Sequence, residues 1–249
     1  MDFSGLLPRR ALSVSVVIAG AVGLSGCFDL EQKVGLHSNG SGTYAMAVSA
    51  KGLIGEGLDK HEADIDFGDN ERTVTHRTRV GDVTTQTSEV TFHDLSDLKL
   101  GDETVALHVK GKTGDMSEVN FHRTFQVDHA RRDHDDEDDH IGKDILETMF
   151  DGHTYKFSVW LPGRIEHIAQ VRVADRVIHP TVWNDRYGHT IIWQIPLSDA
   201  FLANRIDFDV DFAARGDFRD AHSLPGRHHI HHRHHHDDDD DDDDDSDHA

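Results

Sequence analysis

Leu30-Glu31-Gln32-Lys33-Val34-Gly35-Leu36-His37-Ser38-Asn39-Gly40-Ser41-Gly42-Thr43-Tyr44-Ala45-Met46-Ala47-Val48 is the stretch that decides the fold. Leu30, Gln32, Val34 and Leu36 alternate with Glu31, Lys33 and His37, and beyond the turn Tyr44, Met46 and Val48 alternate with Thr43, Ala45, Ala47 and Ser49. Successive strand residues point to opposite faces, so period-two alternation on both sides of an Asn-Gly turn specifies a β-hairpin with one buried face. The same pattern recurs in 73–80, 83–92, 104–110 and 119–127, with Gly81-Asp82 and 111–114 as turns, and suggests a meander of antiparallel strands. It resumes at Tyr155, Phe157, Val159 and Leu161, turns at Pro162-Gly163, and continues through 171–177, 190–195 and 206–212.

Helical signals are few. Residues 51–58 hold three glycines, each costing about 1 kcal/mol against alanine in a helix, and 94–100 resembles one or two capped turns. Ile141, Ile145, Leu146 and Met149 make an apolar stripe at helical spacing. The chain therefore reads as α+β: mainly antiparallel β-sheet with one or two short helices on one face. An acidic, histidine-containing insertion at 128–144 and a tail at 221–249 are too charged to pack, and both are expected to be disordered.

Working back from the hairpin, the N-terminus has the parts of an export signal. Arg9 and Arg10 precede an apolar run at 11–24 that is too short to span a bilayer, and Leu24-Ser25-Gly26-Cys27 follows. Small residues before a cysteine form a lipobox, in which the thiol receives a diacylglycerol and the chain is cut before it. Residues 1–26 are thus expected to be a cleaved signal peptide, and Cys27 the lipidation site. It is the single cysteine, so no internal disulfide is possible. Several acyl chains would hold the protein firmly on a membrane. The folded domain, 27–220, would then begin directly at the lipid surface. Phe28 in place of an aspartate points to the outer membrane, periplasmic face, in a two-membrane host, and otherwise to the outer face of the plasma membrane.

The charge balance narrows the partners. The chain carries 25 basic and 47 acidic residues, net −22. Losing Asp2, Arg9 and Arg10 with the signal leaves 23 against 46, net −23. Such a surface repels phosphate backbones, so no nucleic-acid partner is expected.

The lipobox cysteine, the immediate hairpin turning at Asn39-Gly40-Ser41-Gly42, the strand end Leu161-Pro162-Gly163 and the later Ile192-Trp193-Gln194-Ile195-Pro196-Leu197 together resemble the LppM-like group of bacterial envelope lipoproteins. That resemblance implies an antiparallel sheet with helices, similar to lipid-binding folds, and a non-enzymatic role in holding a lipid or envelope glycoconjugate beside the membrane. The sequence departs from the group in its tail, where histidines and aspartates stand in place of an apolar C-terminal anchor.

His228, His229, His231, His232, His234, His235 and His236 crowd into nine residues, followed by nine aspartates at 237–245. Neutral imidazole suits Zn, Ni and Cu. These seven side chains are therefore candidate ligands for divalent metal ions, with His129, His134 and His140 of the insertion as a weaker set. No cofactor is required by any motif, and Zn, Ni or Cu at the tail is the one candidate. The same block also reads as a pH-responsive polyampholyte: protonated, its seven imidazoles with Arg227 and Arg233 match the nine aspartates in charge.

Asp207, Asp209 and Asp211 alternate with Ile206, Phe208, Val210 and Phe212 and read as a solvated sheet face. Trp160, Trp183, Trp193, Tyr155 and Phe157 read as core or sheet-face residues, or as the lining of a lipid pocket, which sequence does not separate. No His-Glu-x-x-His, Gly-x-Ser-x-Gly or phosphate loop is present, so no catalytic residue is assigned. Two functions are expected from the sequence: a lipid-anchored envelope protein that engages a lipid or glycoconjugate, or a metal-capturing lipoprotein acting through its tail.

Overall fold

The computed structural model describes residues 28–52, 55–56, 58, 73–100, 103–126, 148, 150–203 and 205–224. Fourteen strands follow the chain: β1 Phe28–Leu36, β2 Gly42–Lys51, β3 Thr73–Val80, β4 Val83–Phe92, β5 Thr104–Thr113, β6 Met116–Gln126 and β7 Thr154–Pro162. After these come β8 Arg164–Ile168, β9 Val171–Val173, β10 Arg176–Ile178, β11 Thr181–Asn184, β12 Gly188–Pro196, β13 Arg205–Arg215 and β14 Ala221–His222. Among the described residues, a helix with described ends, α1 Leu197–Leu202, and a 3-10 turn, Leu95–Asp97, accompany the strands.

The hairpin forms as its alternation dictates. β1 and β2 pair antiparallel from Phe28↔Ala50 to Leu36↔Gly42, with Gly40 at φ +81°, where a side chain would be strained. Leu30, Gln32, Val34, Leu36, Tyr44, Met46 and Val48 are all buried.

The strands do not make a simple meander. β1 pairs β2 on one side and, in parallel, β7 on the other, which sets it inside a seven-stranded sheet ordered β11-β12-β7-β1-β2-β4-β3. A five-stranded sheet, β14-β5-β6-β13-β8, and the small β9-β10 ribbon make up the rest. The proposed turn at 111–114 is instead a register shift near Gly111 followed by a tighter turn at Gly114-Asp115. The five-stranded sheet also runs past residue 220, through Ala221–His222 on β5 and a bridge from Leu224 to Lys99.

The α+β expectation is corrected: the fold is mainly β, and helix is a minor part. A sheet with one apolar face needs that face covered, and here each large sheet covers the other. Phe157 of β7 stacks on Phe121 of β6 with ring centroids 6.4 Å apart, Tyr155 lies 4.6 Å from Phe125, and Trp193 of β12 meets Phe208 of β13 edge-on at 5.1 Å. With both apolar faces buried on each other, no helical layer is needed. Residues 55, 56 and 58 have helical backbone, while the stripe Ile141, Ile145, Leu146 and Met149 lies outside the described residues. The helix with described ends, α1, buries Leu197, Ala200 and Phe201.

Candidate functional site

Two polar groupings stand out against this apolar interior, one closed and one open. The closed one surrounds Arg123, which alternation on β6 directs between the sheets and which is 0% exposed. Its Nη2 donates to Glu103 Oε2 at 2.7 Å and to Gln32 Oε1. Tyr44 Oη donates to Glu103 Oε2 at 3.3 Å, and Tyr155 Oη to Gln32 Oε1 at 2.7 Å. The guanidinium also lies 4.7 Å from the Phe157 ring centre, a cation–π contact strengthened by its full burial. Burial alone would lower the Arg123 pKa, but the Tyr155 and Tyr44 phenols and the Glu103 carboxylate outweigh it and keep the group charged. Burial pushes both phenols above their ordinary value. Nε and Nη1 of Arg123 have no hydrogen-bond partner, nor does Trp193 Nε1. The space between the sheets here is filled by aromatic rings and this cluster, so Tyr155, Phe157 and Trp193 are core. Trp160 is only half-buried, and Trp183 is 65% exposed.

The open grouping is a cleft of about 520 Å³ where β7 begins and β12 ends. Phe150, Ile195 and Pro196 give it an apolar floor; Asp151, His153, Thr154, Arg176, Gln194, Ser198 and Asp199 supply polar groups. Its walls are fixed by the first strand. The Phe28 amide donates to His153 Nδ1 at 3.1 Å, which makes that ring nitrogen the acceptor, and Asp29 Oδ1 accepts from the Thr154 amide at 2.9 Å. From β10, Arg176 Nη1 reaches Asp199 Oδ2 at 3.2 Å. A cation and carboxylates thus face one solvent-open hollow, a combination suited to a small zwitterionic group.

The outer face of β13 is the solvated charged surface its alternation indicated. His122 Nδ1 lies 2.9 Å from Asp209 Oδ1, and Lys110 Nζ donates to Asp211 Oδ1 at 2.7 Å. Among the described residues no group of three or more histidine, cysteine or acidic side chains could hold a metal ion.

The sequence-assigned residues Cys27, His228, His229, His231, His232, His234, His235 and His236, and the weaker set His129, His134 and His140, all lie outside the described residues. Alternation alone places Arg123 on the inner face, since it follows Phe121 by two, but a cation there runs against the apolar pattern that marks a core. The cleft residues come from four separate elements, and no local spacing announces them.

Compared with known proteins, the chain matches no family model and no curated protein. Among solved structures it is similar to the folded domain of the Mycobacterium tuberculosis LppM protein, determined by NMR. Identity is 9%, the alignment covers 74% of this chain and 90% of that one, and the TM-score is 0.34; a likeness that loose bears on nothing further. Among the described residues, no helix is long and apolar enough to cross a membrane.

Proposed function

We propose that this protein is a lipid-anchored binding protein of the bacterial cell envelope, tethered through Cys27, whose basal cleft engages the head group of a neighbouring membrane lipid. The observation that carries the reading is the position of the cleft. Its wall residue His153 holds the amide of Phe28, the residue that directly follows Cys27 in the sequence. A tether at Cys27 brings the cleft mouth to the lipid surface.

Arg176 suits a phosphate, and Asp199 and Asp151 suit an ammonium. The role proposed is binding. The test is flotation of the chain carrying Cys27→Ser, which cannot be acylated, with vesicles of phosphatidylethanolamine and with vesicles of phosphatidylglycerol. The reading expects binding to the first that Arg176→Ala and Asp199→Asn each reduce; equal binding by wild type and both variants would contradict it.

Metal capture by the tail is the second reading, and the seven histidines at 228–236 support it. On that reading the folded domain serves as the support, and transition-metal ions are the partner.

A further inference from the structure

Of the six large apolar side chains left exposed among the described residues, three, Val182, Trp183 and Tyr187, belong to β11 and the turn that follows it. This is the end of the seven-stranded sheet away from the basal cleft, since Gly188 pairs Pro162 there while Pro196 pairs Thr154 at the base.

The register explains what this edge presents. Trp183 pairs with Thr190, Thr190 with Trp160, Trp160 with Gly35, Gly35 with Thr43 and Thr43 with Thr91. Lateral partners share a face, so these six residues form one row across the outer face of the sheet. The row contains two indoles, three hydroxyls and a glycine gap, and no charged residue, on a chain of net charge −22.

The Trp160 ring is held in place. Its Nε1 donates to Asp185 Oδ2 at 3.0 Å, and Asp185 is itself fixed by the amides of Tyr187 and Gly188 at 2.6 and 2.7 Å. The six-membered part of the indole lies against Gly188, where an added Cβ would stand 2.4 Å from the Leu161 carbonyl oxygen and 2.9 Å from the ring, so the close seat of the ring depends on glycine there. Trp183, two strands away, has its Cα about 9–10 Å from that of Trp160 at the usual strand spacing.

From this row we infer a binding site for a neutral polysaccharide, with the chain of sugars lying across the strands. Pyranose rings are flat, carry C–H faces that stack on indoles, and bear hydroxyls that pair with threonine hydroxyls. The row itself carries no charge, and the charged groups beside it are engaged locally, Asp185 by Trp160 Nε1 and Arg186 over the Tyr187 ring at 5.7 Å, so ring stacking and hydroxyl pairing are the contacts the row offers. Two indoles separated by one threonine match alternate sugars of an extended chain, and the pre-set Trp160 ring spares the ordering cost of stacking. The site is independent of the tether and of the basal cleft.

The test is titration of the full chain with the neutral hexasaccharides of β-1,4-glucose and β-1,4-N-acetylglucosamine, followed by tryptophan fluorescence and calorimetry. The expected result is saturable binding of at least one hexamer, weaker binding of its dimer, and a loss of about tenfold or more in Trp183→Ala and in Trp160→Ala. Circular dichroism checks that each variant is folded. Should Trp160→Ala unfold through loss of the Asp185 contact, Trp183→Ala, on an exposed edge strand, and Tyr187→Ala carry the test. Absence of binding by both hexamers, or undiminished binding by folded Trp183→Ala, overturns the inference. Neither result depends on whether Cys27 is acylated or whether the cleft binds lipid.

Discussion

Replacing Arg123 with methionine is expected to destabilise the fold by about 3–5 kcal/mol, the cost of leaving one member of a buried ion pair alone. The guanidinium is fully buried, and Glu103 is 7% exposed. The substitution removes the 2.7 Å bond to Glu103 Oε2 and leaves that carboxylate with Gln32 Nε2, 3.2 Å from each oxygen, and Tyr44 Oη at 3.3 Å. Methionine retains much of the side chain's volume against Phe157, so the loss is mainly electrostatic. In a domain of this size each kcal/mol moves Tm by about 2–4 °C, for a drop of roughly 6–20 °C. The double variant Arg123→Met with Glu103→Gln is expected within about 1 kcal/mol of the parent, because it removes both charges and also the unpartnered Nε and Nη1, each of which costs about 1–3 kcal/mol. Guanidinium chloride unfolding, followed by the fluorescence of buried Trp193, measures all three stabilities. A loss below about 1 kcal/mol in Arg123→Met, or single effects that simply add to within about 0.5 kcal/mol, would refute the reasoning.

Alkaline pH should act on the same cluster. The folded state holds protons on Tyr44 and Tyr155 above their ordinary value, so their contribution is fully present below about pH 10 and is lost as pH rises beyond it; the slope should flatten in Tyr44→Phe with Tyr155→Phe, and a parent stability unchanged at about pH 11 would oppose this. Gly163 has φ +80°, and an added Cβ would stand 2.3 Å from the Ala213 carbonyl oxygen, so Gly163→Ala should cost clearly more than Gly40→Ala. The latter, at φ +81° with open space around it, should cost only the backbone term of about 1–2 kcal/mol; thermal melts of the two rank them. Changing His228, His229, His231, His232, His234, His235 and His236 to asparagine should abolish calorimetric binding of Ni²⁺ near pH 7.5, and a full signal in that variant would remove the tail as the metal ligand.

Alternation was a reliable guide to which side chains turn inward. Leu30, Gln32, Val34 and Leu36 are buried as their spacing indicates, and the alternating aspartates of β13 face solvent. Alternation does not specify what covers an inner face, and the expected helical layer proved to be a second sheet. It is equally silent on long-range pairing: the parallel contact between β1 and β7 joins residues some 125 positions apart, as in Leu30↔Tyr155. The basal cleft was illegible for the same reason, since Thr154, Arg176, Gln194 and Asp199 meet only after β7, β10, β12 and α1 have assembled. Trp160 and Trp183 appeared as one aromatic group with Trp193, and register alone separates the outer row from the core.

The most direct test of the tether is the mass of the N-terminal peptide of the protein recovered from the membrane fraction of its host. The account predicts a peptide that begins at Cys27 and carries a diacylglyceryl thioether with an acyl group on the new amino terminus. A peptide that begins before residue 27, or one with a free Cys27 thiol, would contradict it.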